Sequence, residues 1–348
     1  MSADSSQDPN LLDGVPKPGE VLAGKYRVER VLGVGGMGAV VAATHVHLDQ
    51  SVAIKFLTSE SARDPRRVER FSREAWAAAK IKSDHIARVS DVGALPDGTP
   101  YMVMEHLEGE DLEETLRRGP LPIERAVSYL LQAAEALAEA HQKGIIHRDL
   151  KPGNLFVTKR ADGSDWIKVL DFGISKITSG GQSLTQTSAL LGSPLYMAPE
   201  QLASSKYVDH RADIWALGVV LFELISGVPP FVEETLPQVC LRILQGEPTP
   251  LLQVVPNAPP GLDAVLRRCL TKDPAERFRH LAELARALVP FGGADAPSSS
   301  SFIAKVMSAP GAISTADEEV PTEVKGQELQ GAIDELRASG ELPPTRPA

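Results

Sequence analysis

The sequence is poor in cysteine and has no long apolar segment. Only Cys240 and Cys269 occur among 348 residues, too few and too far apart for a disulfide framework or a zinc site. No run of about eighteen or more apolar residues is present, and residues 1–20 lack the basic start and apolar middle of a secretion signal. We therefore expect reduced cysteines, no membrane span and a cytoplasmic location.

The chain also lacks a surplus of basic residues. Asp and Glu number 46 against 36 for Lys and Arg, which gives a formal net charge of -10. A general nucleic-acid binder needs excess basic charge to displace counterions from phosphates, so no nucleic-acid partner is expected. Hydrophobic residues make up 43% of the chain, enough for a large core, and the length allows two units or one larger two-part domain.

Changes in composition predict how the chain is divided. Residues 1–25 are Pro-containing and aperiodic, which is typical of a flexible arm. Residues 26–106 hold short alternating segments that favour strands, together with one helical stretch over 66–81. In that stretch we expect Phe71, Ala75, Ala78 and Ala79 to form the apolar face.

The later part of the chain has a different pattern. Residues 107–288 contain Ala- and Leu-rich segments at helical spacing, over 126–142, 214–225 and 261–270. Residues 289–348 turn to Gly, Ser, Pro and acidic residues and predict a disordered tail. The whole indicates an α+β fold in which 26–288 form the folded part, a β-rich lobe followed by a helical lobe.

A glycine-rich string occupies residues 33–38. Glycines Gly33, Gly35 and Gly38 let a hairpin backbone approach phosphates closely and adopt positive φ, and Gly36 lies between them. The same pattern alone fits a dinucleotide site or a plain glycine turn. A dinucleotide site needs a helix directly after the glycines, whereas residues 39–44 and 52–55 predict paired strands. The context therefore favours a strand-borne phosphate loop.

Lys55 lies inside an apolar strand, where an unpaired ammonium group is costly to bury. Two anionic partners are available: the phosphates of a nucleotide, and Glu74 on the following helix. The alternative is that Lys55 extends to solvent and Glu74 is one charge on a wet helix face. The glycine loop just upstream favours the paired arrangement.

The residues over 147–154, His-Arg-Asp-Leu-Lys-Pro-Gly-Asn, are the most specific signal. Asp149 is placed to accept or orient the proton of an attacking hydroxyl, and Lys151 to neutralise charge on a transferred phosphoryl group. Asn154 and Asp171 offer hard oxygen ligands suited to magnesium. The alternative is a solvated turn of charged residues. The order of these groups along the chain favours transfer of a phosphoryl group from ATP.

Taken together, the motifs resemble those of eukaryotic-type (Hanks-type) Ser/Thr protein kinases, and most closely the bacterial branch. The resemblance covers about residues 26–288 and implies the bilobed protein-kinase fold. The motifs that carry it are the glycine loop with Val40, Val-Ala-Ile-Lys at 52–55, Glu74, 147–154, Asp-Phe-Gly at 171–173, Ala-Pro-Glu at 198–200, Asp213, Trp215, Gly218 and Arg277. The resemblance further implies that Glu200 pairs with Arg277 and that Asp213 supports the backbone of the catalytic loop.

The resemblance also implies a site for ATP with Mg²⁺, for which Mn²⁺ is an expected substitute. An adenine ring needs apolar faces and backbone hydrogen bonds at its edge. The implied lining consists of Leu32, Val40, Ala53 and Phe156, with Met104 leading into a hinge that includes Glu105, His106 and Leu107.

The segment between Gly173 and Ala198 is rich in hydroxyl groups. Thr185 and Thr187 resemble the paired activation-loop threonines of bacterial kinases, and phosphate there is expected to pair with Arg148 and Lys176. Autophosphorylation is compatible with a transient homodimer. The alternative is a polar mobile loop that is not modified.

The sequence thus predicts an ATP-dependent enzyme that phosphorylates Ser and Thr hydroxyls of protein substrates. A kinase-like scaffold that recruits partners through its tail is the competing class, and it predicts a missing catalytic group, whereas none is missing. A small-molecule phosphotransferase shares the loop and the aspartates. The Ala-Pro-Glu segment at 198–200 favours protein substrates.

Overall fold

The computed structural model describes residues 15–35, 38–172, 193–203 and 208–309. Within these residues the chain forms two compact units. The first unit contains residues 15–79 and 87–107, and the second contains residues 80–86 and 108–309. The short stretch 80–86 therefore belongs to the second unit although both of its neighbours in sequence belong to the first.

The first unit is built on one antiparallel sheet with strand order β1-β2-β3-β4-β6-β5. Its strands are β1 Val21–Leu22, β2 Tyr26–Val34, β3 Gly38–His45, β4 Gln50–Leu57, β5 Val89–Ala94 and β6 Pro100–Glu105. Two helices follow β4, the short α1 Ser59–Ala62 and the long α2 Pro65–Lys80. The predicted β-rich lobe with one main helix is confirmed.

Alternation along the strands explains the core of this sheet. Val28 on β2, Val41 on β3 and Ile54 on β4 are fully buried and belong to one apolar cluster, while residues on the opposite face of β2 are exposed. Each such side chain removed from water contributes about 1.5–3 kcal/mol to folding. β4 is central in the sheet, and its Lys55 is therefore surrounded by strands on both sides.

The apolar face of α2 differs in part from the prediction. Phe71 and Ala75 are buried as expected, and Ala77 is the third buried residue. Of the two other alanines predicted for this face, Ala78 is half-buried and Ala79 is exposed. The three consecutive alanines at 77–79 span most of a helical turn, so their pattern does not select one face. Phe71, the one large apolar side chain among these residues, marks the buried side.

The second unit is mostly helical and carries one small antiparallel sheet. Its strands are β7 Gly109–Asp111, β8 Leu155–Lys159 and β9 Asp165–Val169, in the order β7-β8-β9. Its helices are α3 Leu112–Arg117, α4 Ile123–Gln142, α5 Pro199–Ala203, α6 Arg211–Ser226, α7 Leu236–Gln245, α8 Leu251–Val254, α9 Pro260–Cys269, α10 Leu281–Leu288 and α11 Ala296–Met307. The three predicted helical segments correspond to α4, α6 and α9.

α6 is the centre of the second unit. Every residue from Ala212 to Phe222 on this helix is buried, including Trp215, whose ring stacks on Phe231 at a centroid distance of 5.5 Å. A helix that is apolar on all sides belongs inside a core. The helix ends at Gly227, whose φ of 79° is the left-handed conformation that glycine adopts without strain.

Both predicted boundaries of the folded part need correction. β1 lies within the predicted arm, and Val15 and Leu22 are buried in the sheet core. At the other end, α11 lies within the predicted disordered tail and packs against α4 and α10. The serine-rich composition concealed a helix whose Ile303 is fully buried. Residues 1–14 and 310–348 lie outside the described residues.

Neither cysteine forms a disulfide; Cys240 is half-buried and Cys269 is buried. Among the helices that the structure describes, none is long and apolar enough to cross a membrane.

Candidate active site

In the first unit, Lys55 and Glu74 form an ion pair. Lys55 Nζ lies 2.6 Å from Glu74 Oε1, and both side chains are largely removed from solvent. Lys55 is paired across the sheet with Val40 on β3 and Met102 on β6, so its ammonium group leaves an apolar surface and meets the carboxylate of α2. The prediction that these two residues pair is confirmed, and the solvent-extended alternative is wrong.

The glycine string connects β2 and β3 as a tight hairpin. Gly35 and Gly38 exchange backbone hydrogen bonds of 2.8 and 3.3 Å, and a strand rather than a helix follows. This excludes the dinucleotide-binding alternative. Gly36 and Met37 lie outside the described residues.

The expected positive φ is wrong for Gly33, Gly35 and Gly38, none of which has a left-handed backbone. The physical requirement for glycine differs among them. A Cβ on Gly38 would lie 2.1 Å from the carbonyl oxygen of Phe56, so β3 can approach β4 here only without a side chain. At Gly33 a Cβ would meet nothing within 4 Å, and at Gly35 only the Gly38 carbonyl at 3.9 Å. Packing within the described protein therefore does not require glycine at positions 33 and 35.

The predicted adenine-binding residues are divided between the two units. In the first unit, Leu32 is exposed, Val40 is half-buried, and Ala53 is buried where it pairs with Met104 of β6. The backbone N–H of Glu105 donates to the carbonyl of Arg88 at 2.9 Å, so a ligand would have to use another group of Glu105. Leu107 is the last residue of this part of the unit.

In the second unit, Phe156 lies on β8 between Asp111 of β7 and Lys168 of β9. Its side chain is half-buried, and a Cβ on Gly109 would lie 3.1 Å from its ring.

Asp213 at the start of α6 fixes the backbone of the 147–154 loop. Its two carboxylate oxygens accept hydrogen bonds from the backbone N–H groups of His147 and Arg148, each at 2.9 Å, and His141 Nε2 lies 2.7 Å from the same carboxylate. Burial alone would raise the pKa of Asp213, but these donors hold it below its usual range. The support of the loop by Asp213 that the family resemblance implies is confirmed.

The loop contains a strained residue next to Asp149. Arg148 has a φ of 64°, a conformation that costs a non-glycine residue roughly 1–3 kcal/mol and persists only when its surroundings hold it. Its N–H is bonded by Asp213, its carbonyl accepts from Gln201 Nε2 at 3.0 Å, and its Nη2 donates to the carbonyl of Val208 at 3.1 Å. Burial lowers the pKa of the Arg148 guanidinium.

His147 orders the other side of the loop. Its Nδ1 accepts from the backbone N–H of Asp149 at 3.3 Å, and its Nε2 lies 3.0 Å from the carbonyl of Leu170. A neutral ring protonated on Nε2 satisfies both contacts. The ring also packs on Phe172 at 4.7 Å between centroids, which connects the loop to the residue after Asp171.

The two predicted metal ligands are connected through the backbone. Asn154 Nδ2 donates to the carbonyl of Asp149 at 2.7 Å, which leaves the amide oxygen as its ligand atom, and the N–H of Leu170 donates to the carbonyl of Asn154 at 2.9 Å. Asp171 follows with a left-handed φ of 46°. In the described part of the chain there is no group of three or more His, Cys, Asp or Glu residues fit to hold a metal. One carboxylate and one amide oxygen fit Mg²⁺, which usually takes its remaining ligands from water and phosphates.

The segment 193–203 is held from two sides. Tyr196 donates to Glu223 Oε2 on α6 at 2.7 Å, and Glu200 accepts two hydrogen bonds from Arg277. The Glu200 and Arg277 pair that the resemblance implies is confirmed. Sequence reasoning missed His141, Gln201 and Glu223, because the partner of each lies far away in sequence and no local pattern marks it. The partners are the carboxylate of Asp213, the carbonyl of Arg148 and the hydroxyl of Tyr196, respectively. Thr185, Thr187 and Lys176 lie outside the described residues.

Comparisons with known proteins agree with this arrangement. The family model described as protein kinase domain matches residues 26–287. The serine/threonine-protein kinase pkn3 of Myxococcus xanthus is 41% identical over 265 residues, covering 74% of this chain and 48% of the relative. PknB of Mycolicibacterium smegmatis is 37% identical over 281 residues, covering 79% of this chain and 44% of the relative. The chain thus spans less than half the length of these curated relatives.

A solved structure is also similar. The kinase domain of Mycobacterium tuberculosis PknI matches with a TM-score of 0.61 at 32% identity, covering 78% of this chain and 98% of the PknI chain. The family match covers most of the chain, and the relatives named here are bacterial serine/threonine kinases. The chain therefore belongs to the protein kinase domain family.

Proposed function

We propose that this chain is an ATP-dependent serine/threonine protein kinase that transfers the γ-phosphoryl group of ATP to protein hydroxyls. The observation that carries the proposal is the loop fixed by Asp213, which accepts hydrogen bonds from the N–H groups of His147 and Arg148. Within the loop, Asn154 donates through its side chain to the carbonyl of Asp149 and through its backbone N–H to the carbonyl of Lys151. Phosphoryl transfer needs little covalent chemistry from the protein, so catalysis rests on positioned charges. A rigid loop that carries a carboxylate, an ammonium group and an amide meets that need.

Each charged residue has a distinct role in this proposal. Asp149 orients the substrate hydroxyl and accepts its proton, while Lys151 stabilises the negative charge on the transferred group. Lys55, held by Glu74 at 2.6 Å, binds the phosphates of the nucleotide. Gly33, Gly35, Gly36 and Gly38 allow the backbone to approach those phosphates.

Asn154 and Asp171 are the residues that would hold magnesium. When bound, Mg²⁺ supplies charge neutralisation on the triphosphate, and Mn²⁺ is an expected substitute. For the nucleoside, the apolar side chains of Leu32, Val40, Ala53 and Phe156 and the backbone of Glu105 and Leu107 form the proposed adenine site.

The first test is transfer of labelled γ-phosphate from ATP to the chain itself and to a basic protein substrate. Wild type is compared with Asp149→Asn and with Asp162→Asn, whose aspartate lies in an exposed turn of the same unit. We expect label on Ser or Thr in wild type and in Asp162→Asn, and none in Asp149→Asn. Tight nucleotide binding without any transfer in wild type would instead support the scaffold role.

Regulation by autophosphorylation is part of the same proposal. Phosphate on Thr185 or Thr187 would pair with Lys176 and with the guanidinium of Arg148, a buried residue of the catalytic loop. A transient homodimer would bring the segment of one copy to the site of another. Full activity in a Thr185→Ala, Thr187→Ala double variant after incubation with ATP would contradict this regulation.

A further inference from the structure

The helix α7 has little apolar contact with the rest of the second unit. Of its ten residues only Val239 and Ile243 are buried, whereas Leu241 and Leu244 are exposed. Two buried side chains stabilise the position of a helix far less than the continuous burial found on α6. Polar contacts therefore carry a larger share of what keeps α7 in place.

The start of α7 is held by a local capping box. The Thr235 hydroxyl accepts a hydrogen bond from the backbone N–H of Gln238, and the Gln238 side chain accepts one from the backbone N–H of Thr235. Both residues belong to the entry of the helix, so this device fixes the shape of the helix start. It does not attach α7 to the core of the unit.

The other end of α7 is held by a lysine from a distant part of the chain. Lys272, which follows α9, donates from Nζ to the carbonyl of Ile243 at 2.7 Å, and the same Nζ lies 3.4 Å from the carbonyl of Arg242. These carbonyls belong to the last turn of the helix, where the peptide dipoles concentrate negative charge. The cation that this end favours therefore comes from 29 residues away in sequence.

The ammonium group of Lys272 also faces two buried aromatic rings. Nζ lies 4.3 Å from the centroid of the Phe231 ring and 5.1 Å from that of the Trp215 ring, both within the range of cation–π attraction. The two rings have no solvent exposure and stack on each other beside α6. Lys272 thus connects the carboxyl end of α7 to the core of the unit.

The charge of Lys272 persists at neutral pH in spite of its surroundings. Burial lowers the pKa of Lys272 to about 8, Glu247 opposes this shift, and Arg277 and Arg242 add to it. A group with this pKa is mostly protonated at pH 7. Neutralisation of the side chain would remove both its attraction to the end of the helix and its attraction to the aromatic rings.

α7 packs against the segment that borders the catalytic loop. It contacts the turn formed by residues 193–196 and the helix α5. On α5, Gln201 Nε2 donates to the carbonyl of Arg148 at 3.0 Å, and Arg148 directly precedes Asp149. The segment 193–203 therefore lies next to the residue that is proposed to meet the substrate hydroxyl.

We propose that Lys272 is a positioning residue for the protein substrate: it fixes the carboxyl end of α7, and α7 supports the segment 193–203 beside which the substrate binds. The consequence falls on binding of the protein substrate rather than of ATP, because the residues proposed for ATP lie on other elements. The kinetic part of this inference rests on the proposed function, whereas the anchoring of α7 does not.

The test compares Lys272→Met with Lys272→Arg and Lys305→Met in the full chain. Methionine keeps an unbranched side chain without charge, arginine keeps the charge and the donors, and Lys305 is an exposed lysine of α11. For each variant we measure hydrogen exchange of the peptide that covers α7, Tm, kcat, KM for a basic protein substrate and KM for ATP. The kinetics are recorded at pH 7 and well below Tm.

We expect Lys272→Met to speed exchange in the last turn of α7 about 10-fold or more, the effect of one hydrogen bond from a charged donor. KM for the protein substrate should rise about 5-fold, the effect of one ordinary polar contact, while KM for ATP stays unchanged. Lys272→Arg should lie closer to wild type than Lys272→Met does, and Lys305→Met should match wild type.

A second variant is included in case Lys272→Met does not fold. Ile243→Val removes one methyl group from the buried side of α7, and it should change exchange and KM for the protein substrate in the same direction by a smaller factor. Faster exchange in α7 with KM for the protein substrate unchanged, or an equal rise in both KM values, would overturn the positioning role. An equal loss in Lys272→Arg and Lys272→Met would overturn the role of the charge.

The anchoring of α7 is tested without any activity. Unchanged exchange over α7 in Lys272→Met would overturn it, whatever the kinetics show. If wild type transfers no phosphate, the proposed function fails, but the exchange comparison still decides whether Lys272 holds α7. The two failures are therefore distinguishable.

Discussion

Arg277 and Glu200 form a two-pronged ion pair inside the second unit. Arg277 Nη1 lies 2.7 Å from Glu200 Oε1 and Nη2 lies 2.8 Å from Glu200 Oε2. The guanidinium also donates to the carbonyls of Thr271 and Lys272, and its side chain has no solvent exposure. Arg277 thus connects the Ala-Pro-Glu segment to the end of α9.

Removal of this guanidinium should be strongly destabilising. Arg277→Met leaves the Glu200 carboxylate and the carbonyls of Thr271, Lys272 and Arg211 without their donor. Breaking a buried pair from one side costs about 3–5 kcal/mol. We expect a loss of that size in the free energy of unfolding, measured by urea titration. Arg279→Met, which alters a side chain that is 74% exposed, is the control and should change stability by less than about 0.5 kcal/mol.

The Lys55 and Glu74 pair yields a prediction about activity. Lys55→Met removes the cation proposed to bind the nucleotide phosphates and should lower kcat/KM for ATP by about 100-fold or more. Glu74→Gln should have a smaller effect in the same direction, because the lysine remains but is less firmly held. Lys25→Met, at a largely exposed lysine 3.8 Å from Asp91, should leave activity unchanged. Equal loss in all three variants would contradict a specific role.

Two glycines of the loop allow the requirements of folding and of nucleotide binding to be tested separately. Gly38→Ala places a Cβ 2.1 Å from a backbone oxygen and should cost about 1–3 kcal/mol of stability. Gly35→Ala meets no close neighbour in the described protein, so Tm should not fall. One added methyl group where a phosphate must approach is worth roughly 10-fold or more, so KM for ATP should rise by this factor. Thermal melts and ATP titrations of both variants check this, and an unchanged KM in Gly35→Ala would argue against phosphate contact.

The burial of His85 predicts a specific pH dependence of the free energy of unfolding. Burial lowers the pKa of His85 from 6.5 to about 4, with Lys168 and Arg160 acting in the same direction, while its bond to the Ile167 carbonyl and the charge of Asp84 oppose the shift. Glu135 also faces the ring. The unfolded chain binds this proton as pH falls below 6.5 and the folded chain does not, so stability decreases between pH 6.5 and about 4.

The measurement is the free energy of unfolding at several pH values across that interval. His85→Gln should flatten the slope by up to one proton, whereas His47→Gln, at an exposed position, should leave it unchanged. A wild-type slope that persists in His85→Gln would assign the acid sensitivity to other groups.

The chemistry of the site was more predictable from sequence than the scaffold that holds it. Asp149, Lys151 and Asn154 are close in sequence, so a short motif contains them. The supports of that motif are distant: Asp213 lies 66 residues from His147, and Gln201 lies 53 residues from Arg148. Single-sequence patterns carry no information on such pairings, and only the family resemblance supplied the role of Asp213.

The extent of the folded part was the least predictable feature. Composition suggested disorder after residue 288 because serines and glycines dominate the start of that region. Local composition does not report that Ile303 and Ala296 fit against α4 and α10. Likewise, β1 is a two-residue strand that pairs with β2, and it is too short to show any periodicity.

The packing of Gly292 against Val127 and Leu131 has a consequence for solubility. Both side chains are buried in the whole chain, and α11 with its preceding turn covers this side of α4. A polypeptide cut at the end of the family match would present this surface to water as an apolar patch, the kind of surface through which proteins self-associate and precipitate. We therefore expect a polypeptide that extends to Met307 to be more soluble than one that ends at residue 287.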